Sequence, residues 1–223
     1  MNLTAAQLSR IYPNATQSRI NAALTSLNDT LLRYDITTIR RVACFLGQLG
    51  VESGELRYTS EIWGPTARQR GYEGRADLGN NQPGDFSRFR GRGLIQITGR
   101  ANYAEVSRAL GYDFLADPVK LSTYPYAALS AGEYWKSRKL NSYADYLQVE
   151  TITRKVNGGT THLERRIDYT NKALEVLGET ARVEKKKTFL VVAALVVALT
   201  AIVLVINYQP VQKWIRTKIK PLR

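Results

Sequence analysis

The chain has 223 residues, enough for one medium domain and an appendage, and its 44% hydrophobic and 23% charged content is that of a globular protein. One cysteine, Cys44, excludes an internal disulfide and a cysteine-built zinc site, and one histidine, His162, argues against Ser-His-Asp or histidine-rich metal chemistry. The net charge of +13 is uneven, because residues 182–223 hold nine of the 32 Lys/Arg but one of the 19 acids; without a zinc-finger or P-loop pattern, the tail points to anionic lipid and not to nucleic acid.

Residues 1–36 read as two helices. Thr4 caps a short one that Pro13-Asn14 ends, and a second carries Ile20, Ala23, Leu24, Leu27, Leu31 and Leu32 every three or four positions. No basic region followed by an apolar one appears in the first 35 residues, so no cleavable secretory signal is expected. Thr37 or Thr38 then starts a strongly patterned helix, with Ile39, Val42, Ala43, Leu46 and Leu49 forming its core stripe. Glu52 falls at its far end, about 120° off that stripe, just before the helix-breaking Gly54. A carboxylate there can lean into a cleft while its backbone is held by core packing. A solvated surface glutamate is the ordinary alternative.

From Tyr58 to Phe89 the sequence reads as a loop, which at this length suggests function. Glu61 lies in it, nine positions after Glu52. Tyr58, Trp63 and Tyr72 offer aromatic faces, and Arg75, Asn80 and Asn81 offer hydrogen bonds. Any one of these rings reads as packing. Together, beside two acids, they suggest a carbohydrate cleft. LIQIT (94–98) alternates apolar and polar residues and predicts a short extended segment with Gln96 and Thr98 on one face. Further helices are predicted over 101–110, 126–139 and 143–155, with Leu147 and Ile152 inward in the last. A sharp turn at 156–159 leads to a helix from His162 or Leu163 to Leu177.

These residues resemble a known family. Glu52 in VESGEL, Glu61 in YTSEIW, the block FRGRGLIQITGRANY and the VNGG turn before ERRIDY are together similar to family 19 glycoside hydrolases, a chitinase-like group that includes many bacteriophage endolysins. The likeness covers roughly residues 3–178. It implies a mainly α, lysozyme-like, two-lobed helical domain with long active-site loops, and single-displacement hydrolysis with inversion. By the same resemblance Glu52 matches the general acid and Glu61 the general base. Gln96, Thr98 and Asn102 match polar cleft positions, Thr98 standing where the family holds the attacking water. Asn157 and Arg166 match residues that contact substrate or organise the acids, and Tyr58 and Trp63 join the candidate substrate-binding set. Val51 departs from the family, which commonly has histidine there. The short Glu52–Glu61 spacing resembles the phage and bacterial branch, and so favours peptidoglycan over chitin. Glu55, Glu73 and Asp85 are also close in sequence, and Glu73 stays open as a rival base.

The chemistry asks for such a pair. Cleaving a glycosidic bond takes one protonated carboxyl and one ionised carboxylate, about 6.5–9.5 Å apart in an inverting enzyme. Glu52, rooted in a packed helix, suits the donor, and Glu61, on a polar loop, suits the base. Arg166 is expected to keep the base ionised by its positive charge. No metal or organic cofactor is implied.

Residues 188–206 form 19 positions without a charge, about 28 Å as a helix, which predicts a transmembrane span. A basic linker (181–187) precedes it, and a basic amphipathic tail (207–223) follows, with Trp214 suited to the headgroup level. The organisation expected is a catalytic domain over 1–180 followed by these three segments. The function expected is a monomeric, membrane-associated endolysin of muramidase type at a host bacterial inner membrane, acting from the wall side on peptidoglycan glycan strands. A chitinase, or a membrane-permeabilising lysis protein with a non-catalytic wall-binding domain, are the alternatives.

Overall fold

A computed structural model of the chain describes residues 1–179, 182 and 183. Among them the backbone forms α1 (Ala5–Ile11), α2 (Gln17–Arg33), α3 (Ile39–Glu52), α4 (Ala67–Arg70), α5 (Asp85–Arg88), α6 (Arg100–Leu110), α7 (Tyr126–Ser137), α8 (Leu140–Ala144), α9 (Val149–Asn157) and α10 (Leu163–Leu177). Turns of 3-10 helix occur at Ala76–Leu78 and Pro118–Ser122. Short polar side chains set where the first helices begin. Thr4, Thr16 and Thr38 accept the backbone N–H groups of Gln7, Arg19 and Arg41, satisfying donors that have no partner inside the helix. Glycines in the left-handed conformation end α6, α9 and α10.

The third helix runs through the centre of the domain. All residues from Val42 to Gly50 are buried, so its core surface is wider than the one stripe read from periodicity. It packs against α10 more extensively than any other described pair of helices. Gly47 permits that approach: a Cβ there would lie 2.1 Å from Thr170 Oγ1 and 3.0 Å from the Arg166 carbonyl oxygen. Phe45 meets Trp135 of α7 edge-on, with ring centroids 5.3 Å apart, and both are fully buried. Each large apolar side chain buried this way contributes about 1.5–3 kcal/mol of transfer free energy. The end of α3, and Glu52 with it, is therefore fixed by the most extensive helix–helix packing among the described residues.

Three sequence expectations are corrected. Leu32 is 76% exposed, because Ile20, Ala23, Leu27 and Leu31 already fill the buried face of α2 and Leu32 is one step of about 100° beyond it. The helix predicted over 143–155 is two helices, α8 and α9, broken at Leu147, whose φ of 53° lies in the left-handed region. Ile152 points inward as expected, while Leu147 is half-buried. LIQIT is not extended: Arg92 pairs with Ile97 in an isolated antiparallel bridge, so 93–96 is a tight turn with Gln96 at φ 59°. Gly93, at φ 78°, starts that turn, a conformation that alternation of apolar and polar residues does not report.

The segment from 59 to 99 is a loop that carries α4, a 3-10 turn and α5. A second bridge, Ser60 to Arg92, together with the bond from Glu61 N to Gly91 O at 2.8 Å, closes its two ends on each other. Residues Met1–Val183 form one compact unit, and Asn171 of α10 exchanges two hydrogen bonds with the Val183 backbone. Among the described residues no helix is long and apolar enough to cross a membrane. The predicted span at 188–206 and the tail at 207–223 lie outside the described residues.

Candidate active site

Glu52 is the last residue of α3, and Gln48 lies four positions earlier on the same helix face. Between them comes the guanidinium of Arg166 from α10. Its Nη2 donates to Glu52 Oε1 at 2.5 Å, its Nη1 to Gln48 Oε1 at 2.6 Å, and its Nε to the Thr161 carbonyl at 3.3 Å. Gln48 in turn donates to Thr153 Oγ1 at 3.3 Å. Arg166 is 1% exposed and Gln48 and Thr153 are fully buried, whereas the Glu52 side chain keeps 16% of its surface open. The cation is thus surrounded by acceptors on the protein side, and the carboxylate faces outward. Arg166 was expected beside the base; it lies on Glu52 instead, because the helix that carries it packs along α3 and not along the loop.

After Glu52 the chain turns through three consecutive left-handed residues, Gly54, Glu55 and Leu56, at φ 57°, 59° and 64°. For the two that are not glycine this conformation is strained. It is held from outside: the buried Glu55 carboxylate accepts Asn14 N at 2.6 Å, Asn14 Nδ2 at 2.9 Å and the Tyr169 hydroxyl at 2.6 Å. Glu55 therefore ties the α1–α2 turn to α10 and is occupied as a scaffold group.

Glu61 has a different setting. Its Oε1 accepts Gln69 Nε2 at 2.9 Å and the Tyr72 hydroxyl at 3.5 Å, and its Oε2 accepts Gly91 N at 3.0 Å. Every donor is neutral, and the arrangement suits a carboxylate acting purely as an acceptor. Burial pushes the Tyr72 phenol above its ordinary value, and the Glu61 charge adds to that. Gly91 has no room for a side chain, since a Cβ would lie 2.8 Å from Gln96 Oε1 and 3.3 Å from Glu61 Oε2. Gln96 thereby sits beside Glu61. Its Nε2 donates to the Gly93 carbonyl at 3.1 Å, Thr98 donates to the Gln96 carbonyl at 2.9 Å, and Asn102 donates to the Thr98 carbonyl at 2.7 Å.

The other residues singled out in the sequence divide into two groups. Tyr58 and Trp63 are half-buried, each with an arginine over its ring, Arg57 at 5.1 Å and Arg90 at 5.3 Å. Asn157 is exposed at the end of α9. The remaining candidates serve the scaffold. Glu73, the rival base, accepts Gly84 N and Phe86 N at 2.8 and 3.1 Å, at the start of α5. Asp85 is ion-paired with Arg100 at 2.6 Å, Arg75 pairs with Asp77, and the buried Asn80 bonds the Tyr72 carbonyl and Arg100 N. A cavity of about 440 Å³ within this loop is lined by Glu73, Asn80, Asn81 and Gln82 and by neither Glu52 nor Glu61.

Sequence reading missed Gln48, Gln69 and Tyr134. The phenol of Tyr134 is raised chiefly by burial, with the Glu52 charge among the lesser causes, which puts it in electrostatic reach of Glu52. Gln48 carried a usable signal, its i−4 position relative to Glu52. The other two carried none, since only the folded loop and α7 bring them in. Among the described residues no three of His, Cys, Asp and Glu come together as a metal ion would require.

No protein-family model matches the chain. It is 38% identical over 95 residues to a glycosyl hydrolase family 19 domain-containing protein of Haemophilus influenzae, covering 43% of this chain and 46% of that protein. It is 30% identical over 147 residues to an endochitinase of Arabidopsis thaliana, covering 63% and 49%. Its fold matches chitinase C from Streptomyces griseus with a TM-score of 0.66 over 81% of this chain and 95% of that one, at 24% identity. The chain is thus similar in sequence to a family 19 glycosyl hydrolase domain and in fold to chitinases. A family 19, class IV chitinase from Zea mays gives a TM-score of 0.62 at 20% identity, covering 79% of this chain and 93% of that one. The chain spans about half the length of the curated relatives it matches.

Proposed function

We propose that the chain is a glycoside hydrolase in which Glu52 is the general acid and Glu61 the general base of an inverting reaction. The observation that carries this is the contrast between the two carboxylates. Glu61 is surrounded by three neutral donors that suit an ionised acceptor able to activate water. Glu52 is held through Oε1 alone, by the Arg166 cation, and its Oε2, bonded to no described residue, is the oxygen left open to the leaving group. Arg166, fixed by Gln48 and Thr161, aims that carboxyl and holds it at the cleft. Gln96, Thr98 and Asn102 line the cleft beside the base, Tyr58 and Trp63 supply ring faces for sugars, and Asn157 is placed to meet the glycan from the end of α9.

The substrate we propose is the β-1,4 glycan backbone of bacterial peptidoglycan, cut as a muramidase-type endolysin does during host lysis. Two sequence features support it: the short spacing of the two acids, and a basic C-terminal stretch with an uncharged 19-residue run, suited to anchoring at an anionic bacterial membrane. The monomeric catalytic domain then works on the wall side of the inner membrane. Chitin is the second reading, favoured by the similarity to an endochitinase. Mass spectrometry of digested peptidoglycan tests both, because the new reducing-end sugar names the bond cut. A reducing-end muramic acid, released by the wild-type chain and not by Glu52→Gln, is expected. Release from chitin oligomers with none from peptidoglycan would transfer the assignment to chitin.

A further inference from the structure

Arg90 lies on an aromatic ring, as several arginines of this chain do, but with a buried nitrogen left unpaired. Its guanidinium lies over the Trp63 ring at 5.3 Å, and Trp63 in turn meets Phe86, with centroids 5.9 Å apart. Its Nε is buried and has no hydrogen-bond partner. The residue makes no ion pair with any described acid, although Arg75 and Arg100, in the same part of the chain, are both paired. A buried N–H without an acceptor is costly and calls for an explanation. Being buried, Nε is out of a ligand's reach, and it is the rest of the guanidinium that the position offers. Arg90 adjoins Gly91, whose N–H bonds Glu61, and the charges of Arg90 and Glu61 both reach the Tyr103 hydroxyl. Arg57, four positions before Glu61 in sequence and likewise without an ion pair, lies over the Tyr58 ring.

A planar guanidinium presents a fork of N–H donors that fits a carboxylate, and a tryptophan beside it offers a surface to a sugar ring. A neutral polymer of N-acetylglucosamine has no group to satisfy that fork. We infer that Arg90, stacked on Trp63, is a specificity-determining residue that reads a carboxylate on the glycan next to Glu61, so that the site selects a carboxylate-bearing amino-sugar polymer over a neutral one. The inference rests on the glycosidase reading above and narrows its substrate.

Binding tests it without needing turnover, so its failure is separable from failure of that reading. The full-length chain carrying Glu52→Gln, in mild detergent, is titrated with peptidoglycan strands and with neutral N-acetylglucosamine oligomers of matched length. Adding Arg90→Gln should weaken binding to the strands at least tenfold, and at least five times more than binding to the neutral oligomers. Equal losses on the two, or none on the strands, overturn the inference. Strands stripped of peptide by an amidase carry the carboxylate on the sugar's own lactyl group, whereas intact strands carry it on the peptide. Preference retained on stripped strands assigns the reading to the sugar, and preference confined to intact strands assigns it to the peptide. A second measurement needs no variant at Arg90. Raising salt from about 0.1 M to about 1 M should erode the preference for strands, and a salt-independent preference counts against a charge-based reading.

Discussion

Arg166 and Glu52 lie 114 positions apart in sequence and 2.5 Å apart in space, with the arginine 1% exposed and the glutamate side chain 16% exposed. Replacing Arg166 with methionine leaves Gln48 Oε1 without its donor and Glu52 without its counter-charge. Breaking a buried pair from one side costs about 3–5 kcal/mol. A stability loss toward the lower end is expected in urea titrations, since the Glu52 side chain is partly hydrated, together with loss of activity. Arg166→Lys can meet only part of the same set of acceptors and should fall between the two. A methionine variant as stable and active as the parent would remove Arg166 from the positioning role.

Gln69 places a neutral donor on Glu61 at 2.9 Å. Gln69→Glu puts a like charge there, which disfavours ionised Glu61. A base that must be ionised then works only at higher pH, so the acidic limb of the pH–rate profile should move upward. Loss of positioning should lower kcat by about tenfold to a hundredfold, with a smaller change in KM. If the limb stays in place while kcat falls, Gln69 acts only as the cap of α4.

Glu55 holds a strained left-handed turn through three accepted hydrogen bonds. Glu55→Gln converts one acceptor oxygen into an NH₂ that cannot accept, leaving a part-buried donor unsatisfied at a cost near the lower end of about 1–3 kcal/mol. Thermal denaturation should show the loss. Near-parental stability would mean that the turn holds itself.

The Arg100 guanidinium holds the buried Asp85 carboxyl below the usual carboxylate value, and Arg41 does the same, more exposed, for Asp145. A carboxyl whose folded value is depressed contributes stability above its unfolded value, about 3.9. That contribution is lost as pH falls through the folded value. Melting temperature should therefore drop as pH falls below about 4, with a shallower drop for Asp85→Asn. An equally steep acid drop in that variant would assign the transition to other carboxyls.

Burial pushes the Cys44 thiol up to about 12. Thiolate is the reactive form, so a thiol reagent at pH 8 should label the folded chain slowly and the unfolded chain at once. Rapid stoichiometric labelling without denaturant would contradict the packing of α3.

The sequence alone was enough for the helices whose signals are local. A threonine cap at 37 or 38, the core stripe of α3 and Gly178 after α10 follow from side chains within a few positions of each other, and such short-range rules act wherever the chain goes. Sequence also isolated Glu52 and Glu61 as a pair, and the family likeness rested on motifs short enough to read directly. Tertiary structure decided everything that depends on which segments meet. It placed Arg166 on Glu52 and not on Glu61, gave Glu61 its donors from Gln69, Tyr72 and Gly91, turned LIQIT into a tight turn and bound Glu55, Glu73 and Asp85 into the scaffold. The reason is physical. A hydrogen bond or ion pair is set by distances of about 3 Å, and for partners as far apart as Glu52 and Arg166 only the packing of α3 on α10, through a glycine at position 47, brings those atoms within reach.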